Sequence, residues 1–138
     1  MKKLTLELTL EQAEALTRQL DLAFRMHLAQ FGEIAMLARM GVLKKRTGEA
    51  LSLDEINALE KTMEDAKRIF GFDAGSSFGI GSQAVSDEAK RGYEIMKVVQ
   101  KSIAYERNAT NNWSVQYDGL IVRYTNDPAP VAYISRGE

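Results

Sequence analysis

The chain has 138 residues, with 18 Lys and Arg against 19 Asp and Glu, one histidine and no cysteine, for a formal net charge of −1. That length fits a single domain over 1–138 with a real core, and the lack of cysteine excludes a disulfide framework and thiolate metal sites. DNA binding without sequence preference draws on a broad basic face that is missing here, and no apolar run approaches the roughly 20 residues of a membrane span, so a cytoplasmic protein without metal or cofactor is expected.

Leu4, Leu6 and Leu8 alternate with Thr5, Glu7 and Thr9, the period-two pattern of a half-buried strand. Thr9 and Gln12 then form a capping-box pair, and the spacing predicts one long helix from Thr9 to Gly41, with Gly32 tolerated inside it. At 100° per residue, Ala13, Leu16, Leu20, Phe24, His27, Phe31, Ile34 and Ala38 fall on one stripe. His27, inside that stripe, reads as a packed core histidine. A second apolar row of Leu22, Met26, Ala29, Met36 and Met40 lies nearly opposite, so the helix needs cover on two sides. That cover is either the chain's own later helices or a homo-oligomeric interface through Leu22, Met26, Met36 and Met40. Arg25 lies in the polar seam between the rows.

Gly41 to Leu51 is basic and reads as an exposed connector of variable order. Ser52, with Glu55 at the box position, opens an amphipathic helix that Gly71 ends. Gly71 to Val85 holds four glycines, three serines, Phe72 and Phe78. Such a loop can bring backbone close to a ligand and stack a ring on a base, or its aromatics can simply pin it to the core. Ser86 starts a third helix that runs to Asn108, with Arg107 on its buried face as either a C-terminal cap or an anion-binding group. Trp113, Val115 and Tyr117, then Leu120, Val122 and Tyr124, alternate about Asp118-Gly119 as a hairpin, and Val131 to Ile134 offers a third strand. The expected fold is α+β, with three helices packed on a small antiparallel sheet of three to four short strands.

Leu20-Asp21-Leu22, Arg25 and Gln30-Phe31-Gly32-Glu33-Ile34, with Ser77-Phe78-Gly79-Ile80, Ser86-Asp87 and Tyr93-Glu94-Ile95, resemble a group of small proteins of bacteriophages and prophages, among them the anti-Thoeris sponge family. The resemblance covers roughly half the chain. It implies a homo-oligomer that binds a cyclic ADP-ribose-type signal made by TIR-domain proteins, without turnover, in the cytoplasm of a bacterial host; some members also take cyclic oligonucleotides. For such an anionic nucleotide, a guanidinium and a phenyl ring are the fitting partners. The candidate ligand-binding residues are Phe78 and Arg107, with Asn108 beside them, and Arg25 for a second, inter-protomer site. The alternatives are structural: Phe78 pins its loop, Arg107 caps its helix and Arg25 pairs with Asp21. No nucleophile and base pair is evident, so no catalytic residue is assigned. The rival to a sponge is a phage interaction module or adaptor acting through the methionine-rich helix face.

Overall fold

The computed structural model describes residues 2–107 and 123–135. Four helices follow in order: α1 over Leu10–His27, α2 over Gly32–Arg39, α3 over Leu53–Ile69 and α4 over Asp87–Arg107. No strand occurs among the described residues, which are helical or irregular, so the α+β expectation is corrected to all-helical. Leu4 to Leu8 is irregular and joins no sheet, leaving Leu4 91% and Leu6 65% exposed. Val131 to Ile134 is likewise without strand pairing. The proposed hairpin and Asn108 lie outside the described residues, apart from Tyr124, whose N–H donates to the Glu94 carboxylate at 2.6 Å. Period-two alternation reports only two unlike sides: in Val131 to Ile134 one side is half-buried without a ladder, and in Leu4 to Leu8 both sides are exposed.

The long helix is the second correction. It stops after His27, where the N–H of Ala29 donates to the Met26 carbonyl and that of Gln30 to the Arg25 carbonyl. This is a Schellman cap, which needs a left-handed residue one place before its last donor. Ala29 fills that place at φ 63°, where glycine is usual. The same closure ends α2 and α3: Gly41 and Gly71, at φ 74° and 86°, precede Val42 and Phe72, which donate to Leu37 and Lys67. The helix starts follow the sequence. Thr9 and Gln12 exchange bonds of 2.9 and 3.1 Å, Ser52 and Glu55 form a full box, and the Ser86 hydroxyl accepts from the Ala89 N–H.

The chain forms two compact units, one of Met1–Phe24 with Ser86–Glu138 and the other of Arg25–Val85. In the first, α1 and α4 meet through Phe24 edge-on to Tyr93 at 5.2 Å, and Tyr93 in turn meets Tyr124. Ala89, Met96 and Ile103 of α4 are buried. Glu94 is 3% exposed and accepts from Tyr124 N–H, Thr125 N–H and the Thr125 hydroxyl, fixing the segment that follows residue 122. Beyond it, Ala132 accepts a bond from Ser102.

In the second unit α2 packs antiparallel to α3, with Phe31 against Phe70 at one end and Arg39 ion-paired with Glu60 further along. Ala35 and Ala38 of α2 and Ile56 of α3 are buried there. The connector expected to be variable is a closed turn: Val42 and Leu43 both donate to Leu37, Lys45 and Glu49 are joined through their backbone, and the Lys45 ammonium sits 2.7 Å from Glu55.

Candidate functional site

A cleft of about 400 Å³ opens in the second unit between the start of α2, the middle and later turns of α3 and the glycine-rich loop. Gln30, Gly32 and Glu33 come from the first, Glu60, Met63, Glu64 and Lys67 from the second, and Ala74, Gly75 and Ser77 from the third. The helix break at Ala29 makes this possible, because it frees Gln30 from a helix interior and puts Gly32 and Glu33 in a first turn. Glu60, Glu64 and Lys67 recur at intervals of four and three, which sets them in one row along α3.

The loop wall is fixed by its aromatics and its backbone. Phe72 and Phe78 meet edge-to-face at 4.7 Å, and the Phe78 N–H donates to the Leu28 carbonyl at 3.0 Å. Gln30 Nε2 reaches the Ser77 hydroxyl at 3.4 Å, linking the α2 wall to the loop. Lys67 is only 7% exposed, and its ammonium donates to the Ala74 carbonyl at 2.9 Å. One bond leaves an ammonium with further donor capacity.

Two of the three lining carboxylates are in ion pairs. Glu33 lies 3.7 Å from the Arg25 guanidinium, which also donates to Gln30 Oε1, and Glu60 pairs with Arg39. Glu64 is exposed and has no ion pair among the described residues. The site therefore presents carboxylate acceptors, one amide, one hydroxyl and one ammonium, with a thioether from Met63 as its apolar part. It contains no imidazole. Among the described residues, no group of three or more His, Asp or Glu side chains could hold a metal ion.

The residues singled out from sequence are distributed as follows. Phe78 is half-buried in the loop behind the cleft, in the pinning arrangement just described. Arg25 sits beside the cleft, engaged by Gln30 and Glu33. Arg107 belongs to the first unit, where its guanidinium pairs with Glu14 of α1. Asn108 lies outside the described residues. His27 is exposed and not packed in a core. The second apolar row is divided by the helix break: Leu22 and Met26 are half-buried, whereas Met36 and Met40 are exposed.

Glu60, Glu64 and Lys67 escape a reading of the sequence because they flank the apolar row of α3 that includes Ile56 and Met63, and charged side chains at such a margin ordinarily reach out to water. Gln30 and Ser77 need the helix break to be brought together. No family model matches the chain, and no curated protein or solved structure matches it. No helix among the described residues is long and apolar enough to cross a membrane.

Proposed function

We propose that the chain is a non-enzymatic binding protein that sequesters a cyclic nucleotide signal in the cleft of its second unit. The observation that carries this reading is the wall of that cleft: the glycine-rich loop expected to approach a ligand lines a space of about 400 Å³, within the range of small-molecule sites. Carboxylates of Glu33, Glu60 and Glu64 suit the amino group of a base and the hydroxyls of a ribose. Lys67 is the cation that suits a phosphate. Arg25 and Arg39, already paired with lining carboxylates, temper the negative field at the mouth. The balance of three carboxylates to one ammonium makes a heavily phosphorylated ligand the poorer fit.

Calorimetry against a panel of cyclic nucleotides, cyclic ADP-ribose included, tests the reading, followed by chromatography of the ligand recovered after denaturation. Binding is expected to weaken by about three- to tenfold in Ser77→Ala and Gln30→Ala, the worth of one net hydrogen bond each. No heat from any member of the panel, or recovery of a hydrolysed product, refutes it.

A second reading, docking of a protein, is favoured by the exposure of Met36 and Met40 at 47% and 66%. Exposed methionines are adaptable contact surface and contribute little to the fold where they stand.

A further inference from the structure

The C-terminal end of α2 carries more than the two methionines. Val42 and Leu43, folded back by their shared acceptor Leu37, are also exposed, Val42 at 66%. Met36 and Met40 lie one helical turn apart on one face of α2, and Val42 and Leu43 follow within three residues, so the four form a local apolar patch. None of the α3 positions buried against α2 covers these side chains, as their exposure records.

The turn that follows gives the patch a charged edge. Lys45 is drawn back onto Glu55. Its neighbours Lys44 and Arg46 are exposed and have no ion pair among the described residues. Backbone bonds from Lys45 to Glu49 and from Gly48 to Lys45, each 2.9 Å, close the turn beneath them. Two cations are thus held on an ordered turn next to apolar surface, with their charge unspent within the unit.

We propose that this patch docks a protein partner whose contact is an amphipathic helix with leucine-like anchors and an acidic rim. The inference rests on the docking reading above and adds the chemistry of the partner. Apolar contact with Met36, Met40, Val42 and Leu43 would supply most of the affinity for an amphipathic helix laid on this face, and complementary rim charges select the partner and its orientation. A second copy would bring to this face an edge that carries Lys44 and Arg46, so it complements the two cations less well than an acidic partner does.

The test uses the full chain and two labelled synthetic helical peptides, one of leucine and glutamate at heptad spacing and its twin with lysine in place of glutamate. Fluorescence anisotropy is expected to show the glutamate peptide binding about tenfold more tightly at low salt, the preference shrinking as salt is added. Lys44→Glu with Arg46→Glu should reverse the order, and Met40→Asp should abolish binding of both peptides while circular dichroism stays unchanged, because Met40 is largely exposed. Equal affinity for the two peptides, sensitive to Met40→Asp, keeps docking but overturns the acidic-rim partner. Failure of both peptides to bind overturns docking at this patch as well. A dimer in light scattering that Met40→Asp dissolves assigns the patch to a second copy, and binding to anionic lipid vesicles in preference to the glutamate peptide assigns it to a membrane surface; either overturns the proposal.

Discussion

Removing the Glu94 carboxylate should loosen the first unit from its C-terminal side, and the structure sets the size of the effect. Glu94 is 3% exposed and accepts bonds of 2.6 Å from Tyr124 N–H, 3.1 Å from Thr125 N–H and 2.8 Å from the Thr125 hydroxyl, with Arg123 Nε at 3.3 Å. Hydrogen bonds to a charged group are worth about 1.5–3 kcal/mol each. The donors are half-buried and regain water when the acceptor is lost, which brings the total for Glu94→Ala to about 3 kcal/mol. That corresponds to about 10 °C in melting temperature for a chain of this size. Glu94→Gln keeps one acceptor but turns an amide toward N–H donors, and should cost about half as much.

The same carboxylate shapes the acid limb of stability. Burial pushes the Glu94 carboxyl upward, but the bonds from Tyr124, Thr125 and Arg123 outweigh it and hold the group below its ordinary value. A depressed folded-state pKa gives stability that is fully present above the unfolded value and is lost as pH falls through the folded value. Urea titrations followed by circular dichroism, at neutral pH and through the acid range below the ordinary carboxylate value, measure both effects. Glu94→Gln should lose less stability on acidification than the parent chain. A change below about 0.5 kcal/mol in Glu94→Ala, or acid limbs that superimpose, refutes the reasoning.

Two further predictions concern the helix ends. Gly71→Ala should destabilise by about 1 kcal/mol through the left-handed backbone alone, since a Cβ there meets nothing within 4 Å. Ala29→Gly should come out within about 0.5 kcal/mol of the parent, relief of the left-handed alanine being offset by a lost buried methyl and a more flexible unfolded chain; denaturant unfolding reads both, and the reverse order contradicts the cap assignment. Ser52→Ala should cost about 1 kcal/mol as a lost N-cap. It should leave the Glu55 carboxyl close to its depressed value of about 2, because Lys45 and the Ser52 backbone N–H, the two larger causes, both remain and only the smaller contribution of the Ser52 hydroxyl is lost; an NMR titration in which Glu55 returns to its ordinary value would contradict the box.

Where the sequence is legible, the signal is local. Thr9 with Gln12, Ser52 with Glu55, and Ser86 announce three helix starts because a capping bond joins residues three apart. The break between α1 and α2 is hidden because a Schellman cap advertises itself by glycine or asparagine, and Ala29 occupies the left-handed place instead. Gly32, a flaw within one helix on the sequence reading, is the first residue of the next. The strand expectation fails for another reason: alternation in Pro130 to Ser135 matches half-buried and exposed positions in turn, yet one side lies on protein without any ladder. The glycine-rich loop stands out in the sequence as a possible wall of a site, and it lines the cleft. The charges facing it do not stand out, because Glu60, Glu64 and Lys67 sit at the margin of the apolar row of α3, where a charged side chain ordinarily reaches out to water.

The division of the chain has a kinetic consequence. The second unit is one uninterrupted run, whereas the first is made from a stretch before it and a stretch after it. On a ribosome, the residues of the second unit are all available while α4 is still to be made, so Glu14 waits without Arg107, and Phe24 without Tyr93. Loop-closure entropy rises with the length of flexible chain enclosed, and early folding of the run between α1 and α4 replaces much of that flexible length with ordered structure. The contacts of Glu94 with Tyr124 and Thr125 come later still, since their donors lie 30 and 31 positions beyond it. A premature stop before residue 123 removes these donors and leaves Glu94 without the partners that its burial requires.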